Sequence, residues 1–223
     1  MRALALEVSV LVACWSVKGG AGTTVVAASL ALLLSRRVPP GVVLADLAGD
    51  APAVLGLPEP SSPGLTGWLS AGPQVPAEGL ARLEVEVAPQ LALLPRGSGP
   101  LVPDRAEVLA AVLDRGARPV VVDCGRAGHT ESLVIDRARR SILVIRPCYL
   151  ALRRASAAPR RPTEVVLVRE PGRVLSRHDV ESVVGAPVLA EIEADPAVAR
   201  AVDAGLLRGR LPRSLERALR DAA

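Results

Sequence analysis

Apolar and polar positions follow two rhythms along this chain. Residues 8–17 form an apolar, β-branched run that stops at Lys-Gly-Gly, the pattern of a strand buried on both faces. Residues 22–37 carry an apolar helical pattern, closed by Pro39-Pro40. Short apolar strands are predicted at 42–46, 91–94, 120–123, 141–146, 164–168 and 188–192. Helices are predicted at 65–71, 104–115, 130–139, 150–158, 176–184, 196–204 and 212–221, with Asp104 and Ser176 placed to cap theirs and His129 in a loop. Between 56 and 79 the chain is rich in Pro, Gly and Ser, and only the helix at 65–71 is expected there. Strand and helix alternate throughout, and the strands need cover on both faces. This predicts an α/β fold, a mostly parallel sheet sandwiched by helices, and no linker is long enough to divide residues 1–223 into two domains.

Composition narrows the picture. Half of the 223 residues are hydrophobic, yet there is no Phe, one Tyr and two Trp, so Leu, Val, Ala and Ile must fill the core. Such apolar content excludes a disordered chain. Cys14, Cys124 and Cys148 show no paired spacing, and residues 1–8 lack a secretory pattern, which together fit a reduced, cytoplasmic protein. The apolar stretch 25–34 is too short to span a bilayer. The two histidines, His129 and His178, have no partner at metal-ligand spacing.

Net charge is +4 but unevenly spread: residues 1–138 carry 11 basic and 13 acidic groups, residues 139–223 carry 16 and 10. Ten arginines between Arg139 and Arg177 face only Glu164 and Glu170. Non-specific DNA is therefore a further partner to weigh, although no aromatic residues interleave as they do in a stacking surface, and a solvated face is the plainer reading.

The most informative segment is Val17-Lys18-Gly19-Gly20-Ala21-Gly22-Thr23-Thr24, with strand before it and helix after. Glycines there let successive backbone N–H groups converge on one concavity in front of a helix N-terminus, an anion nest suited to phosphates. Thr24, in the first helical turn, is placed to ligate a Mg²⁺ bridging those phosphates. ATP or ADP with Mg²⁺ is the cofactor this implies. Lys18 is the sole lysine beside 26 arginines, and a compact ammonium enters a phosphate cleft more readily than a planar guanidinium.

The pattern GxxxxGK[ST] fails here, because Val17 and Thr23 stand where its first glycine and its lysine belong. The segment resembles instead the deviant phosphate loop of the ParA/MinD family of P-loop ATPases, KGGxGK[ST]. Loss of the second lysine is similar to the CpaE/TadZ branch, whose members help localise pilus or secretion machinery. The resemblance extends through VVLADLAGDAPAVLGL, PGLTGWLSAG, LALLPRG and VVVDCG to LSRHDVESVVGAPVLAEIEADPAVARAVDAG, nearly the whole chain. It implies that Lys18 reaches across a homodimer to the partner's nucleotide, and that Asp123 ends a Walker B strand and bonds Mg²⁺ through water. Asp46 matches the first aspartate of the family's Asp-x-Asp. This implies that it joins Thr24 and Asp123 around Mg²⁺, partly through water, rather than serving as an ordinary strand-end carboxylate. It also implies that Asp46 and Lys18 are the catalytic residues if the protein turns ATP over.

Departures from the family bear on turnover. Thr23 removes a charge that stabilises the transferring phosphoryl group. Ala48 replaces the aspartate that orients the attacking water, and Asp50 substitutes for it only in a rearranged loop. Val168 precedes Arg169 where the family often reads adenine with asparagine, and the chain contains no asparagine. Together these losses weaken hydrolysis more than binding. The expectation is a nucleotide-binding localisation or assembly factor with weak or absent ATP hydrolysis, working as a homodimer across the nucleotide face. The alternatives are an active ParA/MinD-type switch ATPase, a ParA-like DNA-binding partitioning protein, and a scaffold that keeps only the fold. Leu211, Leu215 and Leu219 make one helical stripe, too meagre for a membrane anchor beside Glu216 and Asp221, so this helix is expected to pack on the domain.

Overall fold

A computed structural model describes residues 10–72 and 75–223. The described strands are β1 (Leu11–Ser16), β2 (Val42–Asp46), β3 (Val85–Ala88), β4 (Leu91–Leu94), β5 (Val120–Arg126), β6 (Arg140–Ile145), β7 (Glu164–Arg169) and β8 (Val188–Glu193). They form one sheet in the order β3-β4-β2-β5-β1-β6-β7-β8, parallel throughout except for the antiparallel edge strand β3. The described helices are α1 (Thr23–Ser35), α2 (Ala51–Leu55), α3 (Gly64–Ser70), α4 (Ala106–Arg115), α5 (His129–Arg137), α6 (Tyr149–Ser156), α7 (Arg177–Val184), α8 (Pro196–Asp203) and α9 (Arg213–Leu219), with a 3-10 segment at Ala77–Leu83. The α/β sandwich read from the pattern is the fold observed.

The two-residue period of the strands sorts their side chains into two cores. Leu11, Ala13, Trp15, Val43, Ala45, Val120 and Val122 pack with α3 to α7, whereas Val12, Cys14, Val42, Leu44 and Val121 pack with α1, α2 and α9. Because α1 lies between the sheet on one side and α2 and α9 on the other, it is apolar almost all round, as a central helix must be. Leu215 and Leu219 of α9 are buried in the same core. Arg37 donates to the backbone carbonyls of Arg220 and Ala223, fastening the chain end to α1. The leucine stripe thus packs on the domain. None of the described helices is long and apolar enough to cross a membrane.

Several local expectations need correction. Asp104 does not cap α4: the helix starts at Ala106 with Arg105 at its N-cap. Arg105 is drawn instead over the Trp68 ring, 3.8 Å from its centroid, and donates to the carbonyls of Trp68 and Val75. His129 opens α5 rather than lying in a loop. Strand β3 was not expected; it alternates over only four residues and returns to β4 through a turn in which Gln90 has φ 63°. Helix α2 also went unforeseen, being five residues long with a proline in its first turn. The strand predicted at 8–17 is seen as β1, and its first two residues lie outside the described range. Ser176 does cap α7, in a reciprocal capping box with Asp179.

The basic stretch is largely neutralised. Six of its ten arginines form ion pairs: Arg140 with Glu164, Arg146 and Arg173 with Glu170, Arg160 with Asp136, Arg169 with Glu191, and Arg177 with Glu181. Half of these pairs use Glu164 and Glu170, and the linear charge count left out Asp136, Glu181 and Glu191, which lie outside the stretch.

Candidate functional site

A cleft of about 960 Å³ opens at the carboxyl end of the parallel strands, where α/β sheets of this kind place their ligands. Its floor is the segment Gly19 to Thr24, and its walls include Asp50, Arg96, Arg126 and Asp203. Gly20 and Gly22 have φ 73° and 91°, a left-handed conformation that side chains with a Cβ rarely adopt. Apart from its immediate chain neighbours, no described residue comes within 4 Å of where a Cβ would sit on either residue or on Gly19, so space as well as backbone freedom remains for a ligand. Gly22 caps α1 without any side-chain bond, which leaves the first-turn N–H groups of that thirteen-residue helix directed at the cleft.

Beneath the loop lie two buried carboxylates. Asp46, the last residue of β2, is directly paired in register with Asp123 in the middle of β5, and both have no solvent exposure. The strand period turns both toward the α1 face, since residues two positions earlier, Leu44 and Val121, pack there. Asp46 is committed to the backbone: Oδ1 accepts from the Gly49 N–H at 2.6 Å and Oδ2 from Ala51 at 3.1 Å. Burial nevertheless pushes its pKa up, against those bonds. Asp123 Oδ1 accepts from the Gly125 N–H at 3.0 Å, while Oδ2 is buried with no hydrogen-bond partner among the described residues. Burial raises the Asp123 pKa to about 7; the neighbouring Thr24 hydroxyl opposes the rise and the Asp46 charge adds to it.

This arrangement fits a nucleotide-bound Mg²⁺. An orphaned carboxylate oxygen beside a threonine hydroxyl, at the edge of an amide nest, is a hard oxygen donor set of the kind that suits Mg²⁺. No group of three or more His, Cys, Asp or Glu able to hold a metal by itself occurs among the described residues, so phosphates would have to supply ligands too.

The structure therefore brings Gly19, Gly20, Ala21, Gly22, Thr23 and Thr24 to one cleft and sets Asp123 and Asp46 under it. Lys18 is half-buried and is not among the residues lining the cleft. Thr23 is buried, 6% exposed, where the family pattern carries lysine. Asp50 lines the cleft in the loop as it stands, without rearrangement. Sequence reasoning passed over Arg96 and Arg126. Arg96 donates to the carbonyl of Leu47 and packs across Gly49, holding the loop after β2. Arg126 was legible as the second residue after VVVDC, but nothing local distinguished it from the other arginines. Cys124 is fully buried, which pushes its thiol pKa well above the usual value and leaves no nucleophile there.

No family model matches the chain, and no curated protein is a detectable relative. Solved structures do match its fold. A ParA family ATPase from Chlorobium tepidum superposes with a TM-score of 0.79 at 21% identity, covering 96% of this chain and 97% of that one. The septum site-determining protein MinD of Pyrococcus horikoshii, complexed with Mg-ADP, gives 0.76 at 18% identity over 95% and 93%. A putative plasmid partition protein of Borrelia burgdorferi bound to AMPPNP gives 0.72 at 14% identity over 93% and 94%. The chain thus has the fold of the ParA and MinD ATPases.

Proposed function

We propose that this chain binds ATP or ADP with Mg²⁺ on the loop from Lys18 to Thr24, and that it hydrolyses ATP weakly or not at all. The observation that carries the reading is Asp123 Oδ2, a buried carboxylate oxygen without a partner among the described residues, next to Thr24 and below an open glycine-rich nest. The nucleotide complexes of two structural neighbours support it. When bound, Mg²⁺ would neutralise phosphate charge. The chain's own work is to hold the phosphates with the Gly19–Thr24 amides, to ligate the ion with Thr24, and to orient its water shell with Asp123.

Weak turnover follows from what the site lacks. Thr23 brings no charge to the phosphates, Ala48 brings no carboxylate, and Asp46 spends both oxygens on backbone amides. The likeness of the loop to the ParA/MinD pattern supports a role for Lys18 toward a second copy, hence a homodimer across the nucleotide face. The likeness of the loop to the CpaE/TadZ branch supports a cytoplasmic localisation or assembly factor for a pilus or secretion system. An active ParA/MinD-type switch ATPase is the rival reading, favoured by Asp50 in the cleft.

Calorimetric titration with ATP and with ADP, each with Mg²⁺, tests the binding claim. Micromolar binding by the wild type, lost in Thr24→Ala while the melting temperature stays near wild type, is the expected result. No heat at several temperatures from folded wild-type protein would overturn it and leave a scaffold that keeps only the fold.

A further inference from the structure

A cleft for a polyphosphate needs cations on its walls, and here the usual lysine position is Thr23. Three carboxylates, Asp50, Glu131 and Asp203, line the same cleft and make the demand greater. Only two basic residues line it among those described, Arg96 and Arg126. Arg96 is already engaged, with Nη1 donating to Leu47 O and Nη2 lying 3.5 Å from Gly99 O. Arg126 is exposed, and its guanidinium makes no hydrogen bond or ion pair with any of the described residues.

Its backbone, by contrast, is held firmly beside the phosphate loop. Arg126 is the last residue of β5 and pairs in register with Ser16 of β1. The Ser16 hydroxyl lies 3.0 Å from both Gly125 O and Lys18 O, which ties the residue before Arg126 to the start of the loop. On the other side, the Ala127 N–H donates to Ser16 O at 3.4 Å. A fixed backbone and an uncommitted guanidinium at the mouth of an anion nest are what a phosphate clamp requires.

We propose that Arg126 is the phosphate-binding cation of this cleft, supplying from the end of β5 the charge that Thr23 does not supply from the start of α1. The inference rests on the nucleotide-binding reading and deepens it. It makes the loop a rewired site rather than a decayed one: the charge has moved from helix to strand end, and from an ammonium to a planar fork able to grip two phosphate oxygens. Delivered from the strand end, that fork engages the terminal phosphates of a nucleoside di- or triphosphate, and the same chemistry serves pyrophosphate.

The test is titration of wild type, Arg126→Ala, Thr23→Lys and the double variant with Mg-ATP, Mg-ADP and Mg-pyrophosphate. Arg126 is exposed and unpaired, so Arg126→Ala should melt as the wild type does. It should bind all three probes about 10- to 100-fold more weakly, the range for losing a hydrogen bond to a charged group. Thr23→Lys should recover most of that loss in the Arg126→Ala background and add little to the wild type. Wild-type binding with Arg126→Ala unchanged would overturn the assignment while leaving nucleotide binding intact. Equal gains from Thr23→Lys in both backgrounds would also overturn it, because the two cations would then act independently. Wild type that binds none of the probes would instead bring down the nucleotide reading itself.

Discussion

Replacing Asp123 by asparagine should stabilise the metal-free protein, and by more as the pH rises. Asp123 is fully buried beside Asp46, and burial lifts its pKa from 3.8 to about 7. Between those values the native state holds a proton that the unfolded chain has released, so stability falls as pH increases. The contribution is complete below pH 3.8 and is lost by the time pH has passed about 7. At ~1.36 kcal/mol for each pH unit, a rise of this size amounts to ~4 kcal/mol, a ceiling that local relaxation and water entry will reduce. Asparagine keeps an oxygen for the Gly125 N–H and carries no charge to bury. Urea denaturation in the presence of chelator, in steps from pH 5 to 8.5, should therefore show the two proteins diverging upward in pH, with the variant ahead. Adding Mg²⁺ and nucleotide should reverse the order at pH 8, because the ionised oxygen then has a cation to face. Denaturation curves whose separation does not change with pH would refute the reasoning.

Three further outcomes are expected. Leu219→Ala, at a site with no exposure in the core shared with α1, should cost about 2–5 kcal/mol by chemical denaturation; no measurable loss would mean that α9 does not dock on α1. Ser176→Ala removes one half of the capping box on α7 and should cost about 1 kcal/mol in the same assay. Arg105→Ala loses the stacking on Trp68 and two bonds to carbonyls; a destabilisation of ~2 kcal/mol with unchanged nucleotide affinity is expected from those contacts, read by denaturation and titration in parallel.

Much of the fold could be read from the chain because its strands are buried on both faces and so appear as continuous apolar runs. The run 120–123 was legible for that reason, and the loop glycines for another, the left-handed backbone that Gly20 and Gly22 adopt. What escaped was short or non-local. Helix α2 and strand β3 are too brief for a period to show, and the capping role offered to Asp104 yielded to the attraction between Arg105 and Trp68, thirty-seven residues apart. The linear charge count overstated the basic stretch because Glu191 and Asp136 reach its arginines only through the sheet and its helices. Asp46 illustrates the limit at the site. Its position under the loop followed from the sequence, but the capture of both its oxygens by Gly49 and Ala51 could come only from the conformation of the loop.

The central claim is a cleft that holds nucleotide and scarcely turns it over. A single-turnover experiment tests both halves, with protein in excess over labelled ATP and Mg²⁺, bound nucleotide collected on a filter, and phosphate release followed in parallel. The account predicts that ATP is retained intact over many minutes, that Thr24→Ala abolishes retention, and that Lys18→Ala changes the slow release little. Failure of the wild type to retain ATP, or prompt phosphate release that disappears in Lys18→Ala, would contradict it.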